Sequence, residues 1–334
     1  MNNVICIGSA LKDIFLPTGD GTVTETPQEL LSKRKITFEL GAKYRIEKRY
    51  TAAGGVALNV AIGLTRLGVP ATPNVIVGGD ATGMWLRDVL VKNNVDTSMV
   101  RQASCEQSDL SMILVDRKTG ERVIFVNHGL QETLTVDTHT LGNDTVIFVS
   151  GLTGRTEENY SAIMRAVREN GCTLAYNPGQ SNLNDNMDMV RQMVAQTRYL
   201  FINKDEAMQI VAAVAHDVAQ LDDPVYVMTQ LRACGAQTIV MTAGMKGAWM
   251  YDAQTMYHIP SSGARPVDTT GAGDAFTSGA LAALLRDEAP DVACAWGAAN
   301  AERVIQFYGS NEGLLALQMM RAQEEVFVPK VTRL

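Results

Sequence analysis

The chain has 334 residues, 46% of them hydrophobic, with 29 Lys+Arg against 36 Asp+Glu and a formal net charge of −7. That length buries a large core, either as one large α/β domain or as two smaller ones, and the acidic balance gives no electrostatic basis for nucleic acid or an anionic membrane as partner, which leaves small solutes. The N-terminus MNNVICIGSA carries only a short apolar run with no basic segment before it, and no later stretch stays apolar long enough to span a bilayer, so a cytoplasmic protein is expected.

In chain order, the first β-rich run is VICIG (4–8). Residues 15–50 then break the pattern as an inserted flap. In it Ile36, Phe38 and Leu40 of KITFEL, then Tyr44 and Ile46 of KYRIEK, alternate with polar residues as half-buried antiparallel strands do. A helix follows, since Val56, Val60, Ala61, Leu64 and Leu67 recur at three- and four-residue steps before Gly68 and Pro70 stop it. Next come NVIVG (74–78) and the hairpin SMILVD-RKTGE-RVIFV (111–126). The runs TVIFVS (145–150), TLAYN (173–177), YLFIN (199–203) and TIVMT (238–242) then alternate with helical segments. This alternation predicts an α/β chain with a mostly parallel central sheet flanked by helices. With no repeat or long linker, residues 1–334 are read as a single domain with lid segments at about 15–52 and 111–127.

Cys6, Cys105, Cys172, Cys234 and Cys294 lie far apart and read as small buried hydrophobes. His128, His139, His216 and His258 are equally scattered and read as surface or hydrogen-bonded structural histidines. In an open parallel sheet, ligands sit beyond the carboxyl ends of the strands. There the sequence places Asp13, Asn177, Asn203 with Glu206, and Thr242 with Gly244 and Gly247. No Gly-Lys-Ser/Thr occurs, and GAGDAF lacks the third glycine of a dinucleotide fingerprint.

DTTGAGDAF (268–276) runs directly into an apolar helical pattern. Gly271 and Gly273 let the backbone bend and approach a ligand, and the free amides at the helix start form a cradle for an anion. Asp274 beside that cradle can accept the proton of an attacking hydroxyl. The alternative stays open that Asp274 only complements the helix dipole. The dipole also lowers a carboxylate's pKa, so Asp274 is expected to be a weak base, sufficient for a loose transition state.

The chain resembles the ribokinase-like, or PfkB, carbohydrate kinases. DTTGAGDAF, AAGGVALNVAIGLTRLG (52–68), NKDE (203–206) and VMTAGMKGA (240–248) stand in that family's order, and the resemblance covers nearly the whole chain. It implies a ribokinase-like three-layer fold with a small β lid. It implies Asp274 as catalytic base, with the amides of Gly271, Ala272 and Gly273 as anion hole. Asp13, Gly54, Gly55 and Asn59 would line a sugar site. Asn203 and Glu206 would orient the Mg2+-phosphate group through water, and Thr242, Gly244, Gly247 and Asn300 would surround the nucleotide, ATP. Asp268 and Thr270 stand where several members hold a monovalent cation, K+ being the expected ion. A nucleoside is the alternative acceptor, and a sensor that binds sugar or nucleotide without turnover is the alternative from another class.

Lys33, Arg34, Lys35, Lys43, Arg45, Lys48 and Arg49 make the flap basic. This suits an acidic or phosphorylated sugar, or else edge strands protected against unwanted pairing, and the second reading is favoured. The alternating lid strands leave an apolar face that must cover the sugar site, a second subunit's flap, or both, and a homodimer through the lid is expected.

Overall fold

The computed structural model describes residues 3–26, 34–119, 121–139, 141–214 and 219–334. The first part of the chain holds strands β1 (Asn3–Ile7), β2 (Leu11–Thr18), β3 (Thr22–Glu25), β4 (Arg34–Thr37) and β5 (Tyr50–Gly54). Helix α1 (Val56–Arg66), β6 (Ala71–Gly78), α2 (Ala81–Lys92), β7 (Val100–Ala103), β8 (Leu110–Asp116) and β9 (Arg122–Asn127) follow. Then come β10 (Thr145–Val149), α3 (Thr156–Asn170), β11 (Thr173–Tyr176), α4 (Gln180–Asp185), α5 (Met187–Ala195), β12 (Tyr199–Asn203), α6 (Lys204–Ala212) and α7 (Pro224–Ala233). The last part holds β13 (Thr238–Thr242), β14 (Ala248–Asp252), β15 (Thr255–Ile259), α8 (Ala272–Leu285), α9 (Pro290–Val304), α10 (Leu317–Phe327) and β16 (Thr332–Arg333).

Ten strands form the main sheet, in the order β16-β15-β14-β13-β12-β11-β10-β1-β6-β7. Pairing is parallel from β13 to β7 and antiparallel from β13 to β16. The parallel strands read as unbroken apolar runs because both faces are covered. Val4, Cys6, Phe148, Phe201 and Val240 pack into the core shared with α1, α2, α8, α9 and α10. Their neighbours Ile5, Ile7, Val149, Leu200 and Met241 enter the opposite core with α3 to α7. The two cores are thus the two faces of one pleat. This is the α/β architecture expected from the alternation of runs.

The lid is a second sheet, ordered β5-β2-β8-β9, with β3 and β4 paired as a separate ribbon. Register puts Asp13, Ser111 and Val126 abreast, then Phe15, Ile113 and Ile124, then Pro17, Val115 and Arg122. These share the inward face, where Phe15, Ile113 and Val115 are buried against Ala52 and Tyr308. Ile14, Met112 and Phe125 stand abreast on the outward face. KITFEL yields only β4, and residues 42–49 of KYRIEK and its surroundings form no strand. Their alternation has nothing to pair with, since Tyr44 instead packs edge-on to Phe38 and its hydroxyl accepts from the Glu39 amide. Lys33 and His216 lie outside the described residues. Cys6, Cys172 and Cys294 are buried as expected, whereas Cys105 is exposed and Cys234 half-buried.

Candidate active site

The sheet reverses direction of growth at β1, which lies between β6 and β10. At such a switch the loops beyond the strand ends splay apart and leave a crevice. The N-terminus of α8 lies beyond the ends of β11, β12 and β13, with the lid residue Arg122 beside it. A cavity of about 210 Å³ is lined there by Asn177, Asn203, Glu206, Gly271, Asp274 and the lid residue Arg122. A second cavity, of about 340 Å³, shares Arg122, Thr242, Thr269, Gly273 and Phe276 with the first. It continues along Gly244, Gly247, Ala272 and Ile259.

Gly271 caps α8 in the left-handed conformation, with φ 74°. A Cβ there would overlap Ser310, so the turn requires glycine both for its torsion and for its space. Of the expected anion-hole amides, that of Ala272 already donates to Thr269 O at 3.3 Å. Gly271 and Gly273 line the smaller cavity, and a side chain on Gly273 would meet only open space.

Asp274, in the first turn of α8, accepts on Oδ2 a 2.7 Å hydrogen bond from Asn59 Nδ2. Asn59 Oδ1 in turn accepts from Asn311 Nδ2 at 2.9 Å, and Asn311 Nδ2 also donates to Ala53 O at 2.9 Å. Burial pushes the Asp274 carboxyl up to about 6, while Asn59 and the Arg122 charge pull in the other direction. The helix N-terminus alone predicts the opposite direction. Desolvation outweighs the dipole here, so Asp274 is the stronger base.

Asp13 on β2 is buried and accepts a hydrogen bond from Ser111 Oγ. Burial raises it to about 6, with Asp268 and Asp274 adding to the rise and Ser111 and Arg122 opposing it. A Cβ on Gly54 would overlap the Asp13 carboxylate, and one on Gly55 would overlap the Ser9 backbone. Gly54 thus abuts Asp13, Asn59 is bonded to Asp274, and the two carboxyls are close enough for their charges to interact.

Asn203 and Glu206 form a reciprocal capping box at the start of α6. Glu206 N donates to Asn203 Oδ1 at 2.9 Å, and Asn203 N donates to Glu206 Oε2 at 3.2 Å. Burial raises Glu206 to about 7 against those hydrogen bonds. Asp268 is fully buried, and its Oδ1 accepts from Thr270 N at 3.0 Å and Thr270 Oγ1 at 2.8 Å. Its Oδ2 accepts from Gly309 N at 3.3 Å. Asn300 is placed elsewhere: it is fully buried behind α8, donating to Ala275 O and Ser278 Oγ and accepting from Leu315 N. It lines neither cavity, because every polar atom it has ties α9 to its neighbours.

Arg122, Ser111 and Asn311 also reach the site, and none of them belongs to a sequence motif. Arg122 donates to Thr269 Oγ1 and faces Asp268, Asp274 and Asp13, whose charges oppose the lowering of its pKa by burial. Strand alternation puts Arg122 on one face of its hairpin, but only the folded lid shows that this face looks into the cleft. Among the other flap cations, Arg34 pairs with Glu25 at 2.9 Å and Glu121 at 3.4 Å. Arg34 is thus held by two acids of the lid itself.

The pattern of the pfkB family carbohydrate kinases matches residues 33–316. The chain belongs to this family. It is a phosphotransferase with an alcohol group as acceptor. It is 28% identical over 296 residues to a probable fructokinase-7 of Arabidopsis thaliana, covering 85% of this chain and 79% of that relative. Its fold is that of a Methanocaldococcus jannaschii nucleoside kinase, with TM-score 0.76 at 21% identity over 98% of this chain and 99% of the other. A Burkholderia thailandensis nucleoside kinase in complex with inosine superposes with TM-score 0.78 at 18% identity, covering 97% of each chain. The ribokinase-like fold is therefore shown.

Proposed function

We propose that this chain is a single-domain cytoplasmic enzyme that transfers the γ-phosphoryl group of ATP to a hydroxyl of a small sugar or sugar-like acceptor. The observation that carries the reading is Asp274, held by Asn59 on one oxygen at the mouth of a glycine-capped helix. Oδ2 is engaged, so Oδ1 is the oxygen left to take the acceptor's proton. As that proton moves to Asp274, the acceptor oxygen bonds the γ-phosphorus and the bond to the β-phosphate oxygen breaks, releasing ADP. The amides of Gly271 and Gly273 and the Arg122 guanidinium face the equatorial oxygens, where charge spreads in the transition state, while the Ala272 amide is taken by Thr269 O. Asp13 and Asn59 orient the acceptor's hydroxyls.

Glu206 fits a magnesium site, because a buried carboxylate at the cavity wall gains from a nearby cation. Magnesium, when bound, offsets phosphate charge, with Asn203 and Glu206 holding its water shell. At Asp268, three donors leave room for one more partner on the carboxylate, which suits a monovalent cation. Faster turnover in potassium than in tetramethylammonium is expected, and equal rates would remove that cation from the scheme.

A nucleoside is the runner-up acceptor. Ile124 and Val126, exposed on the inward lid face beside Ser111 and Ile113, offer an apolar wall for a base. A coupled ADP-release screen over sugars, sugar acids, phosphosugars and nucleosides tests the reading, with Asp274→Asn as control. One acceptor class should release ADP with the parent enzyme and fail with the variant. Full turnover by Asp274→Asn would overturn the mechanism.

A further inference from the structure

Two buried side-chain amides, Asn59 and Asn311, stand behind Asp274, and one backbone group fixes the direction of both. Strand β5 is the edge of the lid sheet, and the carbonyl of its Ala53 meets Asn311. A carbonyl only accepts, so Asn311 must present Nδ2 to it and not Oδ1. That Nδ2 carries a second hydrogen, which goes to Asn59 at 2.9 Å. Asn59 is thereby obliged to show Oδ1 to Asn311 and Nδ2 to Asp274 Oδ2, the 2.7 Å contact. Asn311 Oδ1 is itself buried with no hydrogen-bond partner among the described residues. Turning the Asn311 amide over would set Oδ1 against the Ala53 carbonyl, so the unpaired acceptor accompanies the fixed direction.

We propose that Asn311 is a positioning residue for the phosphoryl transfer: by fixing the direction of the Asn59 amide it makes Asn59 a donor to Asp274, and so keeps the carboxylate ready to take the acceptor's proton. The inference rests on the reading of Asp274 as the base. Without Asn311, Asn59 is free to turn over and present Oδ1 to Asp274. An amide oxygen repels a carboxylate but accepts from a carboxylic acid, so the reversed amide favours the protonated form, which cannot serve as base. Charged groups face Asp274 as well. Arg122 of β9 and Asp13 of β2 interact with it and also with Asp268, and Glu206 of α6 lines the same cavity. None of these is altered when Asn311 is replaced, so a change at Asp274 reports on the amide pair.

The test is a carboxyl-carbon NMR titration of protein labelled at aspartate, with the Asp274 signal identified by its absence from Asp274→Asn. No nucleotide or acceptor is needed. The Asp274 midpoint, about 6 in the parent, should rise by about 1 pH unit in Asn311→Ala, since a hydrogen bond to a charged group is worth about tenfold in an equilibrium. Asn311→Leu keeps the branched shape with no polar atom and should give the same rise, so that a cavity does not decide the result. Added to Asn59→Ala, the Asn311→Ala change should leave the midpoint where Asn59→Ala alone puts it, because Asn311 acts through Asn59. A merely structural Asn311 predicts lower stability with the midpoint unmoved. A midpoint unmoved in both Asn311 variants, or moved as far when Asn59 is already alanine, would overturn the inference. The base reading is judged separately: full turnover by Asp274→Asn would remove the base and leave the measured amide relay as it is.

Discussion

Asp274 is subject to two opposed influences, a helix N-terminus that favours its charge and a buried setting that disfavours it, and the two give opposite signs for one substitution. If the dipole interaction dominated, Asp274→Asn would lose a few tenths to about 1 kcal/mol of stability. The carboxyl instead rises from 3.8 to about 6 through burial. Above pH 6 it is ionised in both the folded and the unfolded chain, and the folded state bears the cost of the buried charge. As pH falls from 6 toward 4 the folded carboxyl takes up a proton first, and that cost fades. Asp274→Asn removes the cost outright and keeps an oxygen for Asn59, so at pH 7 to 8 the variant should be more stable by about 1–2 kcal/mol. Its kcat should fall by a factor on the order of 10²–10⁴ with nucleotide affinity kept. In the parent, kcat should decline as pH drops through about 6 and the base is protonated. Denaturant midpoints on the two proteins settle the sign: a destabilised Asn variant would restore the dipole reading.

Two elements bring groups to the phosphoryl position that no short motif encodes. Strand β9 belongs to a hairpin whose position the sequence discloses through its turn and alternation, and Arg122 leads that strand. Arg122→Lys keeps the charge but loses the planar fork that holds Thr269 and spans phosphate oxygens, so kcat should fall by about 10- to 100-fold. An unchanged kcat with a raised acceptor KM would make Arg122 a binding group alone. Helix α6 poses a different question, because Glu206 both caps its helix and faces the cavity. Glutamine serves a capping box as well as glutamate does. Glu206→Gln should therefore keep its helix cap and, freed of a buried charge, melt above the parental temperature at pH 8 while needing several-fold more free magnesium for half-maximal rate. If the magnesium titration of the variant matched the parent's, capping would be the whole of its role.

Over the whole molecule, the sequence discloses what is local and hides what is assembled across it. The six apolar runs all appear in the main sheet, because a strand buried on both faces must be apolar throughout. Strand β7 and the antiparallel edge β14 to β16 are not legible in the sequence, since edge strands carry mixed residues and are defined by a neighbour rather than by their own pattern. At the site, Gly271 to Asp274 announce themselves within four residues. Asn311 does not, because its role is to hold Asn59, 252 positions away in sequence. The same distinction governs the lid, whose outward apolar face is visible only once its strands are in register. Phe125 is 58% exposed and Met112 42% exposed, side by side across β8 and β9. We propose that a second lid covers these exposed apolar side chains, since it presents the same surface by two-fold symmetry. Sedimentation should accordingly give twice the 36.2 kDa chain mass. Met112→Glu with Phe125→Glu should give a monomer, since two buried like charges per lid would meet their copies across the axis. The inward row of Asp13, Ser111 and Arg122 is untouched by those changes. If pairing steadies the lid over the acceptor, the monomer should keep its nucleotide affinity and lose acceptor affinity. A parent protein that sediments as a monomer at every concentration would exclude the dimer, and with it the view that one lid braces another.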